Sequence, residues 1–271
     1  MASVRRRGSR FKGLTTTALA LLLAASVAGC ANRNMTTGSV HRMSGKPVEQ
    51  MSTSELASAA ESLGERYAKN PKDRELAIRY ASVLSMNGRS DQSLAVMRKL
   101  AIDFPEDRKV LAAYGKALAG KGQFEPALDA IRRAQTPEYP DWKLISAEGA
   151  ILDQLGDQKS ARELYRRALE MQPNEPSILS NLGMSYVLAG DLKTAETYMR
   201  SAAAAPGADS RVRQNLALVV GLQGRFKEAE DIARQELSSD QAEANVAYLR
   251  SILSQQNAWN DLKKDDSKNT N

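Results

Sequence analysis

The sequence predicts an all-α protein, a right-handed α-solenoid of about five helix–turn–helix repeats with a helical cap at each end. Gly88, Gly122, Gly156, Gly190 and Gly224 recur at a constant 34-residue step without a slip. A small-residue code travels with them. With repeats opened at Arg74, Arg108, Trp142, Pro176 and Ser210, the eighth position reads Ala81, Gly115, Gly149, Gly183, Ala217. The twentieth reads Ser93, Ala127, Ala161, Ala195, Ala229, and the twenty-seventh Leu100, Ala134, Ala168, Ala202, Glu236. Aromatic content of 5% with abundant Ala and Leu agrees, favouring closely packed helices over a β-sandwich.

Residues 1–29 read as a secretory signal. Arg5, Arg6, Arg7, Arg10 and Lys12 form a basic start, and an apolar run from Leu14 to Ala28 follows. That run falls short of the roughly 20 residues a membrane-spanning helix needs. It ends in Val27-Ala28-Gly29-Cys30, which resembles the bacterial lipobox. The resemblance implies cleavage between Gly29 and Cys30 and lipid attachment at Cys30, the only Cys in the chain. Ala31 in place of Asp implies, by the same family rule, sorting to the outer membrane. An ordinary secreted protein with an incidental Cys is the alternative.

Residues 30–51 are rich in Asn, Thr, Ser and Gly without periodicity and read as a flexible tether. The solitary His41 lies there and is assigned no role. In residues 52–73, Ser52 and Glu55 have capping-box spacing and open a capping helix with Ala59, Leu63 and Tyr67 on one face. Pro71 stands one repeat step before Pro105, so this helix reads as the second half of an incomplete repeat. Five repeats follow over 74–239 (74–107, 108–141, 142–175, 176–209 and 210–239). Residues 240–256, with Val246, Leu249, Ile252 and Leu253, give a C-terminal capping helix, because a terminal repeat otherwise exposes its stacking face. The polar residues 257–271 read as a mostly disordered tail, in which Trp259 and Leu262 either dock back on the last helix or meet a partner.

A step of this length holds two helices of three to four turns and two short turns. Only Gly, Ala or Ser fits where the two helices approach most closely, which explains the eighth and twentieth positions. The fifteenth-position Gly falls where the first helix must stop, in the left-handed conformation of a C-cap. The pattern resembles the tetratricopeptide repeat family. The best match is Leu179-x2-Leu182-Gly183-x2-Tyr186, then Gly190, Ala195 and Ala202. No repeat carries that family's Trp at the fourth position.

The net charge of +6 has the look of a nucleic-acid binder. The five basic residues of the signal account for it: without them the 38 cationic side chains fall to 33, against 32 acidic ones. No nucleic-acid partner is expected. One Cys excludes an intramolecular disulfide framework, and one His leaves little material for metal binding or His-based catalysis. Gly115 to Lys121 approaches a phosphate loop, but Gly122 stands where the Mg2+-binding hydroxyl belongs and both glycines already serve the repeat code. No HExxH, GxSxG or CxxC pattern occurs. The chain is therefore expected to have no catalytic residues, no metal and no cofactor.

Binding has a visible basis. By analogy with the repeat family, the first helices line a concave groove, and their inward positions here include Arg79, Lys109, Lys116, Lys143, Asn181, Arg211 and Asn215. Ala112, Ala113, Ala147 and Leu218 lie among them. Such a lining suits an extended or helical peptide, with amides on its main chain and cations on its carboxylates; mere solvation of individual charges is the alternative. The chaperone-type carboxylate clamp is matched only in part. Asn181 and Arg211 fit it, whereas Ser146 and Ala150 replace its first pair and Asn215 its Arg.

Lipobox, tether and repeats together resemble envelope assembly lipoproteins. The stretch Asn245 to Trp259 resembles, more narrowly, the repeat lipoprotein of tight-adherence (Flp/Tad) pilus systems. That resemblance implies a non-catalytic, periplasm-facing adaptor at the outer membrane, with the secretin or another pilus component as partner. A general envelope scaffold of another secretion system is the second expectation, and an envelope enzyme a distant third.

Overall fold

The computed structural model describes residues 47–138 and 140–268, with side chains through Gln255, Glu49 aside. The signal, Gly29, Cys30 and most of the tether lie outside the described residues. Among the described residues a 3-10 turn, Val48–Gln50, precedes twelve α-helices. They are α1 Thr53–Lys69, α2 Arg74–Met86, α3 Ser90–Asp103, α4 Arg108–Gly120, α5 Phe124–Ala134 and α6 Trp142–Leu155. Then come α7 Gln158–Met171, α8 Pro176–Leu188, α9 Leu192–Ala204, α10 Ser210–Leu222, α11 Phe226–Ala233 and α12 Ser239–Lys268. Each helix packs on the next, and α2, α4, α6, α8, α10 and α12 also pack on one another in series. These inner helices form one wall of a superhelix, and the second helices of the repeats stand outside it.

Local chemistry fixes the ends of the helices. Ser52 Oγ accepts from Glu55 N at 3.3 Å while Glu55 Oε2 accepts from Ser52 N at 2.6 Å, closing the capping box on α1. Every inner helix from α2 to α10 is capped by an acid at the last position of the preceding repeat: Asp73, Asp107, Asp141, Glu175 and Asp209. Each carboxylate accepts a backbone N–H near a positive helix end, where it is stabilised by about 0.5–2 kcal/mol. At the other end of α6, Gly156 has φ +88°. Its N–H donates to Asp153 O at 3.1 Å and the Asp157 N–H to Leu152 O at 2.9 Å. This closure satisfies two orphan carbonyls and turns the chain into α7. The same pair of bonds recurs at Gly88, Gly122, Gly190 and Gly224.

The core is a column of such contacts. A Cβ on Gly149 would lie 2.8 Å from Tyr165 Cε1 and 3.2 Å from the Ala161 carbonyl. One on Gly115 would lie 2.8 Å from Ile131 Cγ1, so this glycine packs helix on helix and cradles no phosphate. Asp153 is the one buried acid among the described residues. Tyr165 Oη donates to its Oδ2 at 2.9 Å and Ser185 Oγ to its Oδ1 at 2.7 Å, joining α6, α7 and α8. Burial pushes its carboxyl up to about 6, although Ser185, Tyr165 and the nearby Arg162 all pull it down. The same burial and the Asp153 charge push the Tyr165 hydroxyl far up. On the outer face Glu196 on α9 meets Arg200 and Arg225, and Glu228 on α11 meets both again. Burial opposes ionisation of Glu196, but Arg225, Gln223 and Arg200 outweigh it and hold the carboxyl at about 2.

The C-terminus departs from expectation. In place of a capping helix over 240–256 and a disordered tail from 257, α12 runs unbroken to Lys268. Neither Gly nor Pro occurs between Ser239 and Lys268, and Ala, Leu, Gln and Lys in this stretch all tolerate helix. The side chains of Trp259 and Leu262 lie outside those described.

Candidate functional site: the concave groove

The inner helices α2 to α10 bring together some of the expected groove residues and not others. Lys116 from α4, Lys143 from α6, Asn181 from α8, and Arg211 and Asn215 from α10 line one hollow of about 560 Å³. Lys109 sits in a neighbouring hollow of about 510 Å³ between α2 and α4, which shares Lys116 with the first. Its Nζ lies 3.0 Å from Glu75 Oε1, and both side chains are more than three-quarters exposed. Screening by water leaves such a pair worth little. Arg79 is half-buried and lines neither hollow.

The amides do two jobs. Asn181 Nδ2 donates to Ser146 Oγ and Asn215 Nδ2 to Ser180 Oγ, each at 3.1 Å. Both serines are buried. The repeat step sets the fifth position of one inner helix beside the sixth of the next, so the pair recurs. Each bond ties neighbouring inner helices and leaves the amide one N–H and its carbonyl for the hollow. Ser146, at a position where the clamp pattern needs another residue, is thus occupied within the fold.

The cations differ in availability. Arg211 is held by Asp209, with Nε at 3.0 Å and Nη2 at 2.8 Å from Oδ2, while Oδ1 caps Val212 N at 3.1 Å. Burial tends to raise the Asp209 carboxyl, but Arg211 and the backbone N–H groups bring it below the usual range. Lys143 Nζ stands 5.4 Å from the centre of the Trp142 ring, within cation–π range. No carboxylate among the described residues lies within ion-pair distance of Lys116 or Lys143. Sequence reasoning passed over Trp142, Ser180, Glu175 and Asp209, which line this hollow together with Ser146. The acids were legible: an Asp or Glu precedes each repeat start, in step with the glycines.

The family profile for tetratricopeptide repeats matches residues 81–141 and 147–210. The chain carries tetratricopeptide repeats. A thermophilic repeat protein from Thermus thermophilus superposes with a TM-score of 0.57 at 20% identity, over 65% of this chain and 97% of that one. PilW, a widely conserved type IV pilus biogenesis factor, superposes with a TM-score of 0.55 at 19% identity, over 74% of this chain and 91% of its own. A chain of the APC/C hetero-tetramer Cut9–Hcn1 gives 0.56 at 16% identity, over 74% of this chain and 42% of that one. At these identities the likeness is one of fold. No curated protein sequence matches the chain. Among the described residues no helix is long and apolar enough to cross a membrane, and no group of three or more His, Cys, Asp or Glu is placed to hold a metal ion. What the groove offers is hydrogen bonds and positive charge on a wide open wall, which is chemistry for holding a protein segment.

Proposed function

We propose that the protein is a non-catalytic adaptor of the cell envelope that holds a segment of a partner protein in its concave groove. One observation carries this reading: Lys116, Lys143, Asn181, Arg211 and Asn215, drawn from four successive inner helices, line a single hollow. Such a hollow spans several residues of an extended chain, with amides for its main chain and cations for its acids. The partner, on the strength of the closing stretch Asn245 to Trp259, is the secretin or another component of a tight-adherence pilus machine. Cys30 anchors the chain by lipid to the outer membrane on its periplasmic side. The tether confines the groove near the membrane and raises its effective concentration for a membrane-embedded partner. PilW shares the fold, and at 19% identity that likeness bears on fold alone.

The test is capture of envelope proteins by the whole chain in detergent, followed by mass spectrometry. Truncating Asn181 and Asn215 would also loosen the inner helices, since both are tied to serines. Lys116→Glu with Lys143→Glu is the cleaner variant, because both side chains are exposed. Secretin or pilus subunits should co-purify with wild type and be lost with the double variant at unchanged helicity. Equal capture by the variant sinks the groove assignment. Normal secretin multimers in cells lacking the protein sink the pilus assignment and leave the general envelope scaffold.

A further inference from the structure

The groove does not end at α10. Between α10 and the first turns of α12 lies a third, smaller hollow of about 110 Å³. Its walls are apolar: Leu218 on α10, Leu237 in the connecting segment, and Val246 and Leu249 on α12. Tyr248, 55% exposed, stands among them. The hollow opens where α11 stops after 8 residues, whereas the earlier outer helices run 11 to 14. Here α12 takes the place of a sixth inner helix and comes so close that a Cβ on Gly221 would lie 2.5 Å from Leu249 Cδ2. Asn215 lines both this hollow and the cationic one. The two are therefore consecutive stations on one path along the inner wall.

We infer that the small hollow is a specificity pocket for a branched aliphatic or methionine side chain, borne by the same segment whose acidic residues meet Lys116 and Lys143. The inference rests on the groove reading above. Its occupant is a partner segment with acids at one end and one aliphatic anchor at the other. Charge selects the acids, because neither lysine has a carboxylate partner among the described residues. Size selects the anchor: a buried apolar cavity of about 150 Å³ takes benzene, so this smaller hollow suits Leu, Ile or Met better than an indole. Spacing follows from the fold. Lys143 on α6 and the hollow between α10 and α12 are about two and a half interhelix steps apart, roughly 20–25 Å. An extended chain covers that in about six or seven residues.

The experiment is fluorescence anisotropy of the whole chain in detergent with synthetic peptides. The probes carry Glu-Glu, a six-residue Gly/Ser/Thr spacer and one Leu, in both orders, each with a Leu→Ser and a Glu→Gln counterpart. In one order the Glu–Leu peptide should bind at least tenfold tighter than its Ser counterpart. Leu218→Asp, and independently the surface change Tyr248→Ala, should abolish that advantage without changing affinity for the Ser peptide. Lys116→Glu with Lys143→Glu should weaken both peptides together. Equal binding of Leu and Ser peptides to wild type in both orders overturns the pocket; if that binding still depends on the lysines, the groove reading survives. Equal binding of Glu and Gln peptides overturns the charge assignment. If no probe binds, the pocket and the peptide-groove reading on which it rests both fall.

Discussion

Gly149→Ala tests whether the repeat code reports helix contact. The added methyl would sit 2.8 Å from Tyr165 Cε1 and 3.2 Å from the Ala161 carbonyl oxygen. Tyr165 is 1% exposed, and its hydroxyl donates to the buried Asp153 at 2.9 Å. The ring therefore withdraws only by breaking a bond to a carboxylate that has few other partners. Overpacking of this kind costs about 1–3 kcal/mol, offset by the 0.5–1 kcal/mol or so that Ala gains over Gly inside a helix. The expected net loss is about 0.5–2 kcal/mol, or roughly 1–8 °C in melting temperature for a domain of this size. Gly183→Ala is the internal control. Its methyl would meet the Ala195 carbonyl at 3.2 Å, the same backbone contact as at Gly149, but its other neighbours are Met199 Cε at 3.0 Å and Cγ at 3.1 Å, atoms of an unbranched, flexible side chain that can repack where the hydrogen-bonded Tyr165 ring cannot. That variant should fall within about 0.5 kcal/mol of wild type, whereas Gly183→Leu should lose on the order of 1–3 kcal/mol. The assay is thermal unfolding followed by circular dichroism at fixed pH. The reasoning is refuted if Gly149→Ala melts at or above wild type, or if Gly183→Ala loses more than Gly149→Ala.

Stability should depend on pH through Asp153. Its folded value, raised from 3.8 to about 6, means that between about pH 4 and 6 the folded protein keeps a proton that the unfolded chain has lost. This group therefore adds stability as pH falls through that window and subtracts up to about 3 kcal/mol above it. Melting temperatures from pH 7 to pH 5 should rise for wild type relative to Asp153→Asn; a difference that stays constant with pH refutes the assignment. Cys30→Ser should block lipid labelling and leave the unprocessed chain at the inner membrane. Unchanged outer-membrane fractionation of that variant would rule out the anchor.

The sequence by itself determined the all-α class, the register and the placement of the turns. Those features repeat because the same steric problem recurs once in every repeat: Gly156 must turn the chain at φ +88°, and Gly149 must let α7 approach α6. A local code of this kind is readable without coordinates. The carboxylates capping the inner helices obey the same step, so Asp107 and Asp209 were legible too. Only the tertiary structure decided which inward residues are committed within the fold and which remain for a ligand. Asn181 and Asn215 hold neighbouring serines, Arg211 is engaged by its helix cap, and Arg79 is withdrawn from both hollows. Periodicity assigns a residue to a face, but partners come from helices a whole repeat away in the chain. Polarity likewise failed to forecast α12 as far as Lys268, because composition reports what faces water while helix formation depends on backbone propensity and the absence of breakers. The apolar hollow beside Leu218 and Leu249 was hidden for a third reason. It depends on how closely α12 settles on α10 after a shortened α11, a relation between elements that no single stretch of sequence contains.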